Sequence, residues 1–131
     1  MNECSLIVDA TDDWLTSKLL NKYCNKKHKN FLYCSVVRHD IQIILFNNSK
    51  DCDHLCLNCI FPNKDDVDLP RCSSVGISGV SAGLAGLFAA QKIINFSLNL
   101  NNETNILTIF DGKKLKIDNI IVKSQHYFFL K

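Results

Sequence analysis

Glycine is missing from the first 75 residues; all five glycines lie between Gly76 and Gly112. A phosphate-cradling loop of the G-x-G-x-x-G type depends on glycine so that backbone N–H groups can approach an anion closely. Within this sequence, therefore, no such loop stands ahead of Gly76. Cysteine is missing from the other end, since none of the seven follows Cys72. Proline is scarce, and both copies, Pro62 and Pro70, fall in one stretch. Neither charge dominates: 15 Lys and Arg against 13 Asp and Glu leave a net +2. That balance lacks the strongly basic surface of a nucleic-acid binder, so no nucleic-acid partner is expected. No apolar run reaches the ~20 residues a membrane span needs. The nearest, "VGISGVSAGLAGLFAA" (Val75 to Ala90), stops at Gln91 and Lys92 and reads as a tightly packed helix, with no membrane role.

What is present suits a folded domain. The chain has 131 residues, 47% of them apolar, enough for one modest core. The opening "MNECSLIVDA" carries an acidic residue and too short an apolar run for a secretory signal. An odd cysteine count without a signal argues against a disulfide framework. The expected setting is the cytoplasm, with thiols free or metal-bound. Cys4, Cys24 and Cys34 read as small core hydrophobes. The basic run "NKKHKN" (Asn25 to Asn30) reads as a helix C-terminus, where lysines are favourable.

"SLIVDA" (Ser5 to Ala10) is a short apolar run with β-branched residues, expected as a buried strand. Asp12 and Asp13 are capping residues for a helix through "WLTSKLLNKYCNK", whose apolar face is assigned to Leu15, Leu19 and Tyr23. "FLYCSVV" and "IQIILF" are strands joined by a tight turn at Arg38-His39-Asp40 and so antiparallel. Residues 47–78 break the pattern and hold four of the cysteines, a long loop of the kind that is functional or disordered. A helix from about Gly79 to Phe96 follows, and its glycines suggest close packing. "ILTIF", the turn Asp111-Gly112 and "KLKIDNIIV" form a hairpin. The layout is α/β with a mixed sheet, read as a single module over 1–131 (1–46, 47–78 and 79–131). One strand-helix unit is too little for a complete doubly wound sheet.

Three stretches share an order with one known family. "LIVDATDDWLTSKLLNKYC" resembles the D-x-T-D-N strand-helix signature of the ThiF/MoeB/HesA (E1-like) family. "CLNCIFP" is similar to its C-x-x-C element. "PRCSSVGISGVSAGLAGLFAAQKII" is similar to its cysteine-bearing crossover loop and glycine-spaced helix. "FDGKKLKIDNIIVK" looks like its closing hairpin, and "YCSVVRHDIQIILFN" like its strand pair, with Arg38 where the family often carries arginine. The resemblance implies a partial Rossmann-like fold, the C-terminal half of such an enzyme, lacking the N-terminal nucleotide-binding half. It also implies adenylation of the C-terminus of a ubiquitin-like sulfur carrier protein with Mg-ATP. In this chain that activity needs a separate ATP-binding half. The alternatives are a non-catalytic module that binds a carrier or forms a homodimer, and a truncated gene remnant.

The same resemblance assigns roles. Asp12 matches the aspartate that handles magnesium at the α-phosphate, making it both catalytic and part of a nucleotide site; the plain reading is a helix N-cap. Asp13 replaces the usual asparagine and adds a charge unfavourable to phosphates. Cys72 matches the crossover-loop cysteine that links covalently to the carrier in some members; the plain reading is an unreactive thiol. Cys56 and Cys59 match half of a four-cysteine zinc site whose second pair is absent. Tetrahedral zinc takes four ligands, so the site is incomplete unless Cys52, His54 or His126 substitutes. His39 is assigned nothing.

Overall fold

The computed structural model describes residues 3–48, 55–62, 78–100 and 104–123. A five-stranded mixed sheet runs in the order β1-β2-β3-β4-β5. Strand β1 (Leu6–Asp9) leads into helix α1 (Trp14–Lys27), which returns to β2 (Asn30–Val37). β1 and β2 are parallel, with Leu6 opposite Asn30 and Asp9 opposite Tyr33. β3 (Asp40–Phe46) turns back antiparallel to β2, as the short Arg38-His39 link requires. A four-residue helix α2 (Leu57–Ile60) and the long helix α3 (Gly79–Ser97) precede β4 (Ile106–Asp111) and β5 (Lys116–Ile121), a hairpin on the edge of the sheet.

The strands alternate between two cores. Phe31, Tyr33, Ile44, Phe46 and Leu107 face α1 and α2, where they meet Cys24, Leu55 and Leu57. Leu32, Ile41, Ile43, Leu45 and Phe110 face α3 and meet Ala85 and Ala89. Because β2 and β3 are covered on both sides, they read as nearly continuous apolar runs. β5 has no such cover among the described residues, and all six of its own residues are exposed.

The buried face of α1 differs from the one assigned to it. Leu15 and Leu19 are 66% and 69% exposed, whereas Ser17, Asn21 and Cys24 are buried. Trp14 and Leu20 complete the inward stripe. Small residues at 17 and 24 let the helix lie close to the sheet, and Trp14 stacks edge-on against Phe61 with centroids 6.2 Å apart. Apolarity alone misplaced Leu15 and Leu19, while Tyr23, the third residue of the assigned face, is half-buried and does pack against this core.

Helix α3 also departs from its expected packing. It meets the sheet through Ser81, Ala85 and Ala89, while Gly79, Gly83 and Gly86 have open space around them. The glycines are therefore not explained by a neighbour within the described residues. No helix among those residues is long and apolar enough to cross a membrane.

The β2–β3 turn is a junction. Ser78 N–H, just ahead of α3, donates to the Arg38 carbonyl at 3.0 Å, and Gly112 N–H donates to the His39 carbonyl at 3.0 Å. Arg38 takes a left-handed φ of 58°.

Candidate functional site

Three aspartates, Asp9, Asp12 and Asp13, gather at the end of β1. Asp9, the last residue of the strand, is 1% exposed. Its Oδ1 accepts the Thr11 backbone N–H at 2.9 Å and the Thr11 hydroxyl at 2.7 Å. This bends the chain sharply out of the sheet, as an aspartate bonding two residues ahead does in an Asx turn. The other oxygen, Oδ2, is buried and meets no hydrogen-bond partner among the described residues. The Asp-x-Thr spacing was visible in the sequence as part of the family signature. Nothing in it marked Asp9 as the buried member.

Asp12 follows in the left-handed region, with φ 56°. An aspartate tolerates that conformation better than most residues, but it is uncommon and concentrates at turns and functional sites. The side chain is exposed, and no hydrogen bond holds its carboxylate among the described residues. Its plain reading as the helix cap is overturned. Asp13 is the N-cap, and its carboxylate accepts the Thr16 backbone N–H at 3.1 Å. The cap must be extended, and Asp13 at φ −129° is; Asp12 is not. The acidic residue in the asparagine position is thereby engaged with the first turn of the helix.

Asn21, buried in α1, was not singled out in the sequence. Its Oδ1 accepts the Leu57 N–H at 3.0 Å and fixes α2 against α1. No periodicity reveals such a residue, because its partner lies 36 positions away.

The Cys-x-x-Cys pair sits on α2. Cys56 is the N-cap and Cys59 lies in the third helical position, with sulfurs 3.2 Å apart and both half-buried. Two thiolates on a tetrahedral zinc with bonds of about 2.3 Å stand roughly 3.8 Å apart, so the pair is close to bidentate spacing. Burial, and then the hydrogen bond with Cys59, push the Cys56 thiol above its ordinary pKa. No group of three or more candidate ligands occurs among the described residues. The residues described fit half a zinc site, not a whole one. Cys52, His54, His126 and Cys72 lie outside the described residues.

Cys24 and Cys34 behave as core residues. Burial raises both thiols to about 11, aided by Cys4 at the first and Asp9 at the second. Asp111 is held below its usual range, chiefly because its carboxylate accepts the Lys114 and Lys113 backbone N–H groups in the hairpin turn.

The model of the ThiF family matches residues 1–127. A probable molybdopterin-synthase adenylyltransferase of Gracilaria tenuistipitata var. liui is 25% identical over 93% of this chain and 36% of its own length. The adenylyltransferase and sulfurtransferase MOCS3 of Dictyostelium discoideum is 30% identical over 82% of this chain and 25% of its own. The chain thus spans about a third or less of these relatives. The crystal structure of E. coli MccB with ATP, 14% identical, shares the fold with a TM-score of 0.69 over 92% of this chain and 37% of that one.

Proposed function

The chain belongs to the ThiF family, and from that premise we propose that it forms part of an adenylyltransferase that activates the C-terminal carboxylate of a ubiquitin-like sulfur carrier. The observation that carries the reading is Asp12, strained and exposed at the C-terminal end of a parallel strand. That is where α/β folds place their sites. Its carboxylate offers magnesium a hard oxygen donor, and no competing hydrogen bond holds it among the described residues. Asp9, anchored by Thr11, positions the turn that presents Asp12.

In this reading Asp12 would hold the magnesium that accompanies ATP, and the metal would neutralise phosphate charge. A carrier carboxylate oxygen forms a bond to the α-phosphorus. The bond to the bridging oxygen breaks, and pyrophosphate leaves with the electron pair. Cys72 would then take the acyl group from the adenylate, its thiolate sulfur forming a thioester as AMP departs. The phosphate cradle must come from a second chain or segment, since no glycine precedes Gly76. The expected partners are a carrier and a complementing nucleotide-binding half. The Cys56–Cys59 pair is assigned no catalytic step.

The test is ATP–pyrophosphate exchange. The 131-residue chain by itself is expected to show none; with a chain bearing a glycine-rich loop and a carrier ending in Gly-Gly, exchange should appear. Asp12→Asn should then lower it by roughly 100-fold or more, as the loss of a charge-stabilising group does. Robust exchange by the lone chain would overturn the need for a second half. Exchange by the pair that is indifferent to Asp12→Asn would overturn the role of that residue.

A non-catalytic module that holds a carrier or a second copy is the other reading. It is favoured by β5, whose Ile117, Ile120 and Ile121 are about half exposed or more. Carrier binding without exchange, under every combination of chains, would select it.

A further inference from the structure

Helix α1 has a second face that adenylation does not use. Leu15 and Leu19 stand exposed one turn apart and form one side of a groove of about 590 Å³. Leu57 of α2 lines it as well, with Cys56 and Asn58 beside it. Lys18 and Lys22 line the same groove, and no carboxylate does among the described residues. The lysines continue along the helix to Lys26 and Lys27, and α1 contains no acidic residue. Lys18, Lys22 and Lys26 recur every four residues and so share one flank of the helix. The groove therefore couples an apolar strip to a row of cations.

We propose that the groove between α1 and α2 is a docking site for an acidic, leucine-bearing amphipathic segment of a partner protein. The charge selects the partner's sign, because the cationic row would repel a basic segment and steer an acidic one. The apolar strip selects its class. Leu15 and Leu19 lose water only against aliphatic side chains, which a phosphate backbone does not bring. An amphipathic helix with apolar anchors at i, i+3, i+4 and i+7 is the class of segment that lays its apolar face into a groove of this kind. Asn21 gives the groove rigidity by tying α2 to α1 through the Leu57 N–H, so its wall is preformed. The site is independent of the adenylation reading and stands or falls without it.

The experiment is fluorescence anisotropy on the full chain with a fluorescein-labelled amphipathic peptide of leucine and glutamate. The same peptide with lysine for glutamate and a single-stranded RNA oligonucleotide serve as comparisons. The glutamate peptide should bind saturably, with affinity falling as salt rises. The double variants L15S/L19S and K18E/K22E should each weaken binding about tenfold or more, the effect expected of central interface anchors. Because Leu15 and Leu19 are exposed, the first variant should keep its circular dichroism spectrum and melting temperature. Absence of saturable binding overturns the proposal, as does equal binding of the lysine peptide. RNA binding indifferent to L15S/L19S would mean a nucleic-acid surface instead. Self-association abolished by L15S/L19S would give the groove to a second copy of this chain.

Discussion

Gly112 is the residue whose replacement the geometry forbids most plainly. A Cβ there would stand 2.3 Å from the His39 carbonyl oxygen and 2.9 Å from its Cβ. Backbone on the far side cannot yield as a flexible side chain would. Gly112→Ala should therefore destabilise the fold by about 1–3 kcal/mol, the range for overpacking, read as a lower urea midpoint. Cys24 and Cys34 make a prediction about alkali. Both thiols are raised to about 11 in the fold against an ordinary 9. Between those values the unfolded chain loses protons that the folded chain keeps, so unfolding is favoured as pH rises. The contribution of these two thiols should be flat below pH 9 and fall from there to about 11. The double variant Cys24→Ala, Cys34→Val should show a shallower decline in urea titrations across that window.

At the scale of elements, α3 carries the sharpest expectation. Its three glycines face open space among the described residues, where an added methyl meets nothing within 4 Å. Glycine is about 1 kcal/mol less favourable than alanine inside a helix. Gly83→Ala and Gly86→Ala should each raise the melting temperature of the chain. A fall would mean that the glycine face is already packed against something. Helix α1 shows how far an element could be read in advance. Its extent followed from a capping aspartate and a lysine-rich end, and the structure closes it with His28 in the left-handed region. Its orientation did not follow, because Ser17, Asn21 and Cys24 carry no strong apolar signal yet form the buried stripe. Small size at Ser17 and Cys24 and one long-range hydrogen bond at Asn21 decided the face, and that bond is not a property of the helix sequence.

At the scale of the whole molecule, the five-stranded sheet ends, among the described residues, in two open edges, β1 and β5. Unpaired edges seek strands. The exposed side chains Val80, Leu87, Leu115 and Ile121, each two-thirds exposed or more, add apolar surface on α3 and the hairpin. The isolated chain is therefore expected to associate. Sedimentation velocity should show mass rising with concentration, and a single monomeric species across the range would contradict it. The candidate site follows the same logic at this scale. Asp12 is presented from the end of β1, but a phosphate cradle is absent from the sequence ahead of Gly76.

The sequence by itself determined the order of the five strands and the two long helices, the antiparallel turn at Arg38-His39, the hairpin at Asp111-Gly112 and the family signature around Asp12. These are local properties, set by periodicity, capping and turn chemistry within a few residues. The sequence did not show α2, which lies in the stretch read as a loop. Tertiary structure alone decided which aspartate caps α1, which is buried with an unpaired oxygen and which is left strained and exposed. It also decided that α1 turns Leu15 and Leu19 outward and that α3 leaves its glycines uncovered among the described residues. Those outcomes depend on contacts between segments far apart in the chain: Asn21 on Leu57, Gly112 on His39, Ser78 on Arg38. A linear pattern records what each residue prefers; only the assembled sheet and helices determine which preferences are met.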